Sequence, residues 1–334
     1  MRIKLICLLA IVLLSIPACT PAPDCSRKDV FCAALVTDTR GLNDYGINQD
    51  TWAGLQQAKV DGVVNQIAYI ESVDTRDYQK NINFFVNAGY DVIVTSGIGL
   101  RAATLRSADL YPASVFVGMN QADNESVSNF ISVTFPEDQM GFFAGALAAH
   151  LTHTNIIGAV CEDSSLDSMW RYCEGFRAGA KYINGSAALL IIYRDNGSSD
   201  KLFIDDAWGT ESAQTLIKRG ADVIFAVGGE TGVGALRTVA QAGVKSIGAE
   251  RDQRAALGDQ GASVVTSVLG SASSTVETVL RNIQHENLAD MTTSPFRFVS
   301  MDSVAPQSLI EDMHQILLSL TNGEIEPNVT QNKP

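Results

Sequence analysis

The strongest constraint on the fold of this chain is a repeated alternation of short, almost continuously apolar runs with segments of helical spacing. A first series comprises VFCAALVT (30–37), VVNQIAYI (63–70), DVIVTS (91–96), ASVFVG (113–118) and FISVTF (130–135). A second comprises NIIGAV (155–160), AALLIIY (187–193), DVIFAV (222–227), VKSIGAE (244–250) and ASVVTSV (262–268). A strand with one wet face alternates apolar and polar residues. Runs without a polar side read as parallel strands covered on both faces. Between them, residues 47–59 place Ile47, Trp52, Leu55 and Ala58 on one side, and residues 205–219 do the same with Ala207, Trp208, Ala213, Leu216 and Ile217. Strand, helix, strand repeated in this way specifies an α/β fold, with parallel sheets flanked by helices and right-handed crossovers.

An apolar, small-residue helix at 138–151 divides the two series, so two sheets are expected rather than one. Two late helices, near 271–289 and 304–321, and the run Phe296-Arg297-Phe298-Val299 supply extra crossings. The expected lobes are 30–147 plus about 271–295, and 148–268 plus about 296–322. The polar, proline-containing end, 323–334, reads as a flexible tail. A chain of 334 residues suits two domains of roughly 150 residues. Hydrophobic residues at 46% provide for the cores this requires.

The N-terminus runs Met1-Arg2-Ile3-Lys4 and then LICLLAIVLLSIPAC to Cys19. A basic start, a short apolar stretch and a small residue before cysteine mark an export signal over residues 1–18. The stretch is too short to span a bilayer with flanks. Ile16-Pro17-Ala18-Cys19 resembles the lipobox of bacterial lipoproteins, which implies acylation of Cys19 and an extracytoplasmic domain anchored to the membrane by lipid. The formal charge is −13 and becomes more acidic once Arg2 and Lys4 leave. Such a surface disfavours nucleic acid and anionic lipid as partners. Of six cysteines, Cys7 lies in the signal, and Cys25, Cys32, Cys161 and Cys173 remain after Cys19. Four cysteines allow three pairings. The short separations make Cys25–Cys32 and Cys161–Cys173 the expectation, with buried thiols as the alternative. His150 and His153 lack the cysteine or carboxylate pattern of a metal site, and no metal or cofactor is expected.

Four stretches carry a resemblance. They are the segment from Ala34 to Gln49 (ALVTDTRGLNDYGINQ), the segment from Ser132 to Gly145, Cys173 to Lys181 (CEGFRAGAK), and Gly220 to Gly234 (GADVIFAVGGETGVG). Together they resemble the basic membrane protein family of substrate-binding lipoproteins of ABC importers, whose best-known type is a purine nucleoside receptor. The resemblance implies a two-lobed periplasmic-binding-protein type I fold, a cleft between lobes that closes on a nucleoside-like small molecule, and ABC permease subunits as partners. It places ligand contacts at Asp38, Asn43, Asp44 and Asn48, in the turn after the first strand. The alternative role for Asn43 and Asp44 is capping the following helix. In the second lobe, Gly228 to Gly234 lacks the lysine of a phosphate loop and reads as a glycine-rich turn offering amides to a neutral ligand, at Gly229, Thr231 and Gly232. Glu250 and Asp252 follow the next strand.

Two positions depart from the family pattern. Ile47 stands where the family carries a stacking aromatic, and Gly270 where it carries a lysine. Tyr45, Trp170 and Phe203 are the aromatics available instead. Asp38, Asp44, Glu250 and Asp252, with no lysine to balance them, favour a polyhydroxylated ligand over a phosphate. Two other functions compete. One is a sensing module for a membrane receptor. The other is a cleft hydrolase using Asp163 and Asp167 as a carboxylate pair. The GxSxG elbow of a serine hydrolase is absent.

Overall fold

The structure, a computed structural model, describes residues 24–122, 127–286 and 291–330. The expected export signal, Cys19 and residues 331–334 lie outside the described residues.

The first half runs β1 (Cys32–Thr37), α1 (Ile47–Val60), β2 (Gln66–Ile70), α2 (Tyr78–Asn87), β3 (Val92–Ser96), α3 (Arg101–Leu110), β4 (Val115–Met119), β5 (Phe130–Thr134) and α4 (Glu137–Leu151). The second runs β6 (Ile156–Cys161), α5 (Asp167–Ile183), β7 (Ala188–Tyr193), α6 (Asp206–Lys218), β8 (Val223–Ala226), α7 (Gly229–Gln241), β9 (Lys245–Ala249), α8 (Gln253–Leu257) and β10 (Val264–Gly270). Then come α9 (Ala272–Gln284), β11 (Met291–Thr293), β12 (Phe296–Phe298) and α10 (Gln307–Thr321). Every apolar run contains a strand. α2, α3, α5 and α7 are helices beyond those expected from spacing.

Two six-stranded sheets result, ordered β11-β5-β4-β3-β1-β2 and β12-β10-β9-β8-β6-β7. All described pairings are parallel except β10 with β12. The central strands β1 and β3 are buried along their whole length. The chain moves from β1 outward to β2, then returns to β3 on the other side of β1. It repeats this at β6, β7 and β8. The strand order reverses there, and the crevice beyond the strand ends at such a reversal is where open α/β sheets bind ligands. Asp91 and Asp222 sit at the opposite ends of their strands. Asp91 accepts from Cys32 N at 2.7 Å, and Asp222 accepts from the His153 and Thr154 amides at 2.6 and 2.9 Å.

Glycines set the tightest helix contact. A Cβ on Gly141 would lie 2.0 Å from the Tyr172 carbonyl oxygen, and one on Gly145 would lie 1.9 Å from that of Phe176. Gly175 and Gly179 of α5 return the contact against Asp138 and Phe142. Two glycines four apart on each helix therefore let backbones touch. This pairing, with further contacts to β8, β10 and α10, places α4 on the second sheet. The expected lobe boundary at 147 thus differs from the packing: the chain changes sheets at residues 135–136, before α4. The apolar character that suggested a divider is that of a helix covered all round. The chain crosses again between β10 and α9, which packs on α1, and between β11 and β12.

The end of the chain is a correction. Residues 323–330 are not loose: Glu324 N bonds to Ser319 O at 2.9 Å, Ile325 packs against the core, and Thr330 O accepts the Trp170 indole at 2.7 Å. An extended strap has no periodic pattern, so its polar composition read as a tail. Disulfides join Cys25 to Cys32 and Cys161 to Cys173.

Candidate functional site

A cavity of about 320 Å³ lies between the sheets, lined by residues of both lobes and of the crossing segments. Its first-lobe wall starts at the end of β1. Asp38 Oδ2 accepts from Arg40 Nε and Nη2 at 2.9 and 2.7 Å, while Oδ1 accepts from Asn48 Nδ2 at 2.8 Å. Gly97, with φ of 107°, follows β3, and a Cβ there would meet Asp38 Oδ2 at 2.7 Å. The glycine after the strand makes room for the carboxylate.

Of the four acidic and amide residues expected in this turn, Asp38 alone lines the cavity. Asp44 is buried and accepts from the amides of Gly46, Asn48 and Gln49 at 2.9, 3.2 and 3.2 Å. Capping the start of α1 accounts for it. Burial raises its carboxyl above the ordinary value, opposed by the charge of Arg40 and by those amides. Asn48 is fully buried and ties Asp38 to Gly41 O at 2.9 Å. Asn43 is exposed. Tyr45 is half-exposed, with its ring outside the cavity lining.

The second-lobe wall differs from expectation in a similar way. The glycine-rich segment is the start of α7, entered through Gly228 and Gly229 at φ of 109° and 60°. Gly229 lines the cavity and donates its amide to Glu250 Oε2 at 3.0 Å. Thr231 is buried behind it and donates to Glu162 Oε2 at 2.7 Å, while Gly232 packs on the backbone of Val227. Asp252 caps α8 through the Ala255 amide at 3.1 Å. Trp170 stacks on Tyr193, away from the cavity. Glu250 and Phe203 do line it. Both have left-handed backbones, at φ of 69° and 66°, as does the cavity residue Asn120 at 58°. Such strain outside glycine collects at binding sites, where the surroundings over-determine the conformation.

The electrostatics of the cavity include two cations beside the acidic residues. Arg40 and Arg251 face the cavity, Arg40 on Asp38 and Arg251 Nη2 on Glu230 Oε1 at 2.9 Å. The sequence carries this balance as arginine, in T-R-G and E-R-D, rather than as lysine. Two more lining carboxylates are paired from outside the cavity, Asp50 with Arg297 and Glu137 with Arg171. Burial and the charges of Glu137 and Glu250 hold the Tyr172 phenol well above its ordinary value, and burial and the charge of Asp38 raise that of Tyr78. Both are therefore neutral hydroxyls beside the cavity. Glu250 makes no ion pair among the described residues.

At the two departures, Ile47 and Gly270 both line the cavity. The Phe135 ring occupies the space over Gly270, where a Cβ would sit 2.0 Å from Cδ1. The ring fills the place of a side chain at 270. Across the cleft, Asp252 N bonds to Tyr45 O at 2.9 Å, so the lobes touch directly. Neither Asp163 nor Asp167 lines the cavity. His150 and His153 are exposed. No His, Cys, Asp and Glu grouping suited to a metal occurs among the described residues.

Comparison with known proteins agrees with this architecture. Residues 31–293 match the family model described as ABC transporter substrate-binding protein, PnrA-like. A CD4+ T-cell-stimulating antigen of Listeria innocua is 30% identical over 247 residues, covering 69% of this chain and 65% of that protein. The nucleoside-binding protein BmpA of an ABC transporter of Lactococcus lactis is 32% identical, covering 60% of this chain and 56% of that protein. The matches thus span less than two thirds of these curated relatives. A solved solute-binding protein of an ABC transporter system from Conexibacter woesei superposes with a TM-score of 0.70 at 21% identity, covering 88% of this chain and 98% of that one. The fold is the two-lobed type I periplasmic-binding architecture, and the chain belongs to the PnrA-like family of ABC transporter substrate-binding proteins.

Proposed function

We propose, on the premise of that membership, that this chain is the extracytoplasmic ligand receptor of an ABC importer, held at the membrane through Cys19. In this reading it binds a nucleoside or a related polyhydroxylated small molecule between its lobes and presents it to permease subunits. One observation carries the reading: a single cavity of about 320 Å³ takes its walls from both lobes. A ligand there makes its full set of contacts only when the lobes are closed. Its binding energy therefore shifts the population toward the closed form. The volume falls at the lower end for small-molecule pockets.

The wall chemistry supports the ligand class. Glu250 accepts from ligand hydroxyl or amino groups, since among the described residues its carboxylate takes only the Gly229 amide. The arginines are already engaged by carboxylates, so the lining remains acidic and disfavours a phosphate. Phe135 and Phe203 provide apolar ring surface. The test is to unfold and refold the mature protein to strip bound compounds, then titrate nucleosides, free bases, sugars and nucleotides by calorimetry. Mass spectrometry of the stripped material identifies a resident ligand. Tight binding of a nucleoside without turnover is the expected result. A nucleoside phosphate binding far more tightly than its nucleoside, or chemical conversion of the bound compound, refutes it.

A further inference from the structure

Behind the second-lobe wall lies a charged cluster, Glu162, Arg194 and Asp205, none of which lines the cavity itself. Arg194 is the largest fully buried side chain among the described residues, at 1% exposure, and Glu162 beside it is at 0%. Arg194 Nη1 meets Glu162 Oε1 at 3.1 Å, and its Nε meets Asp205 Oδ2 at 3.2 Å. Its Nη2 donates to Ser198 O at 2.6 Å. The guanidinium is pressed against Gly197, where a Cβ would stand 2.4 Å from Cζ. The loop from Arg194 to Asp205 thus closes on its own two ends around one buried cation.

Glu162 uses its other oxygen to hold the same loop from below. Oε2 accepts from Phe203 N at 2.9 Å and from Thr231 Oγ1 at 2.7 Å, and Thr231 Oγ1 accepts from Asp205 N at 3.0 Å. Phe203 O in turn accepts from Glu230 N at 2.8 Å. The residues so fixed are Leu202, Phe203 and Ile204, which line the cavity, with Phe203 in the left-handed region.

Stability does not account for such a cluster. Burying ions costs desolvation that their attraction only partly returns, and apolar replacements of buried pairs are often neutral or stabilising. Directional bonds supply something an apolar core does not, namely one position for a loop that would otherwise choose among several. We infer that Glu162, Arg194, Asp205 and Thr231 are positioning residues for ligand binding, a clamp that fixes the Leu202–Phe203–Ile204 wall of the cavity. This rests on the ligand-binding reading above. It also moves Thr231 from a ligand contact to a support.

The test uses the full mature chain and two readouts. Amide hydrogen exchange at Phe203 and Glu230 reports the wall without any ligand, and calorimetry with adenosine, or with whichever panel member binds wild type, reports affinity. Glu162→Gln leaves one oxygen for the three donors Arg194 Nη1, Phe203 N and Thr231 Oγ1, and sets an amide NH2 against either Arg194 or the Phe203 amide. It is expected to speed exchange at both amides at least tenfold and weaken binding at least tenfold, while unfolding stays cooperative. Thr231→Val, which changes no charge, carries the same expectation and serves if Glu162→Gln does not fold. Arg194→Lys keeps one ion pair and restores part of the affinity lost in Arg194→Met. Unchanged exchange at Phe203 and Glu230 overturns the clamp, and so does faster exchange with affinity within twofold of wild type. If wild type binds no panel member, the ligand reading fails separately, and exchange alone decides the clamp.

Discussion

Gly46 offers a direct measurement of lobe closure. It precedes α1 in the first lobe, and an added Cβ would stand 2.9 Å from Arg251 Cβ and 3.1 Å from Glu250 O in the second. Arg251 Cβ is the root of its side chain, so no flexible end can swing away. The neighbouring backbone bond from Asp252 N to Tyr45 O leaves little slack. Gly46→Ala must therefore push the lobes apart or distort both loops. Overpacking of this kind costs about 1–3 kcal/mol. The cost falls on the closed form, because separating the lobes removes the contact. A closed-form penalty of that size weakens ligand binding by about 5- to 150-fold. Adenosine titrations by calorimetry, beside the melting temperature of the ligand-free protein, separate closure from stability. Gly185→Ala is the control, since its Cβ would have only Lys181 O nearby, at 3.9 Å. Small-angle scattering should show less compaction on saturation with the variant. Affinity within twofold of wild type would refute the closure reasoning. So would a ligand-free destabilisation as large as the binding loss.

Gly145→Ala, whose Cβ would lie 1.9 Å from Phe176 O, is expected to part α4 from α5 at about 3 kcal/mol, measured by urea unfolding. Burial raises the Asp222 carboxyl, but bonds from Thr152 Oγ1 and the His153 and Thr154 amides outweigh it and hold the pKa below the ordinary value. Its stabilisation is therefore complete above about pH 4 and lost as pH falls through the lower native value. Asp222→Asn should cost about 1–3 kcal/mol at pH 7, with the gap to wild type narrowing below pH 4; a gap independent of pH would rule this out. Replacing Cys161 and Cys173 together by Ala should lower stability by about 2–4 kcal/mol. In a bacterial host, Cys19→Ser should move the protein from the detergent phase to the aqueous phase of an extraction, and equal partitioning would count against acylation.

The strands were legible because burial on both faces leaves an unmistakable run. DVIVTS and DVIFAV needed no tertiary information. The helices α2 and α3 were not, since polar residues are part of the faces they bury: Asn81 beside Tyr78, Ile82 and Phe85 in one, and Thr104 and Ser107 beside Ala108 in the other. α7 was hidden by its glycines, which read as a turn although they serve close packing at a helix start. The site was legible as a location but not as a set of contacts. The turn after β1 holds Asp38 in the cavity, yet Asp44 and Asn48 in the same motif spend their hydrogen bonds on the backbone and on Asp38. Sequence cannot separate a carboxylate that meets ligand from one that caps the loop carrying it, because both need the same residue beside the same strand end.

The same distinction bears on what the cavity selects. The lining carboxylates taken alone make an acidic cleft, whereas the pairs Asp38–Arg40, Glu230–Arg251, Asp50–Arg297 and Glu137–Arg171 neutralise most of it. Glu250 then stands apart as the lining carboxylate without an ion pair among the described residues. In the proposed reading, discrimination against phosphate rests on that arrangement more than on net charge, because each guanidinium at the cavity is already paired and would give an anion its full charge only in exchange for a carboxylate. A ligand bearing hydroxyl or amino donors requires no such exchange. Gly270 acts in the same direction: with the Phe135 ring lying over its Cα, the wall there presents carbon where a longer side chain would have carried charge.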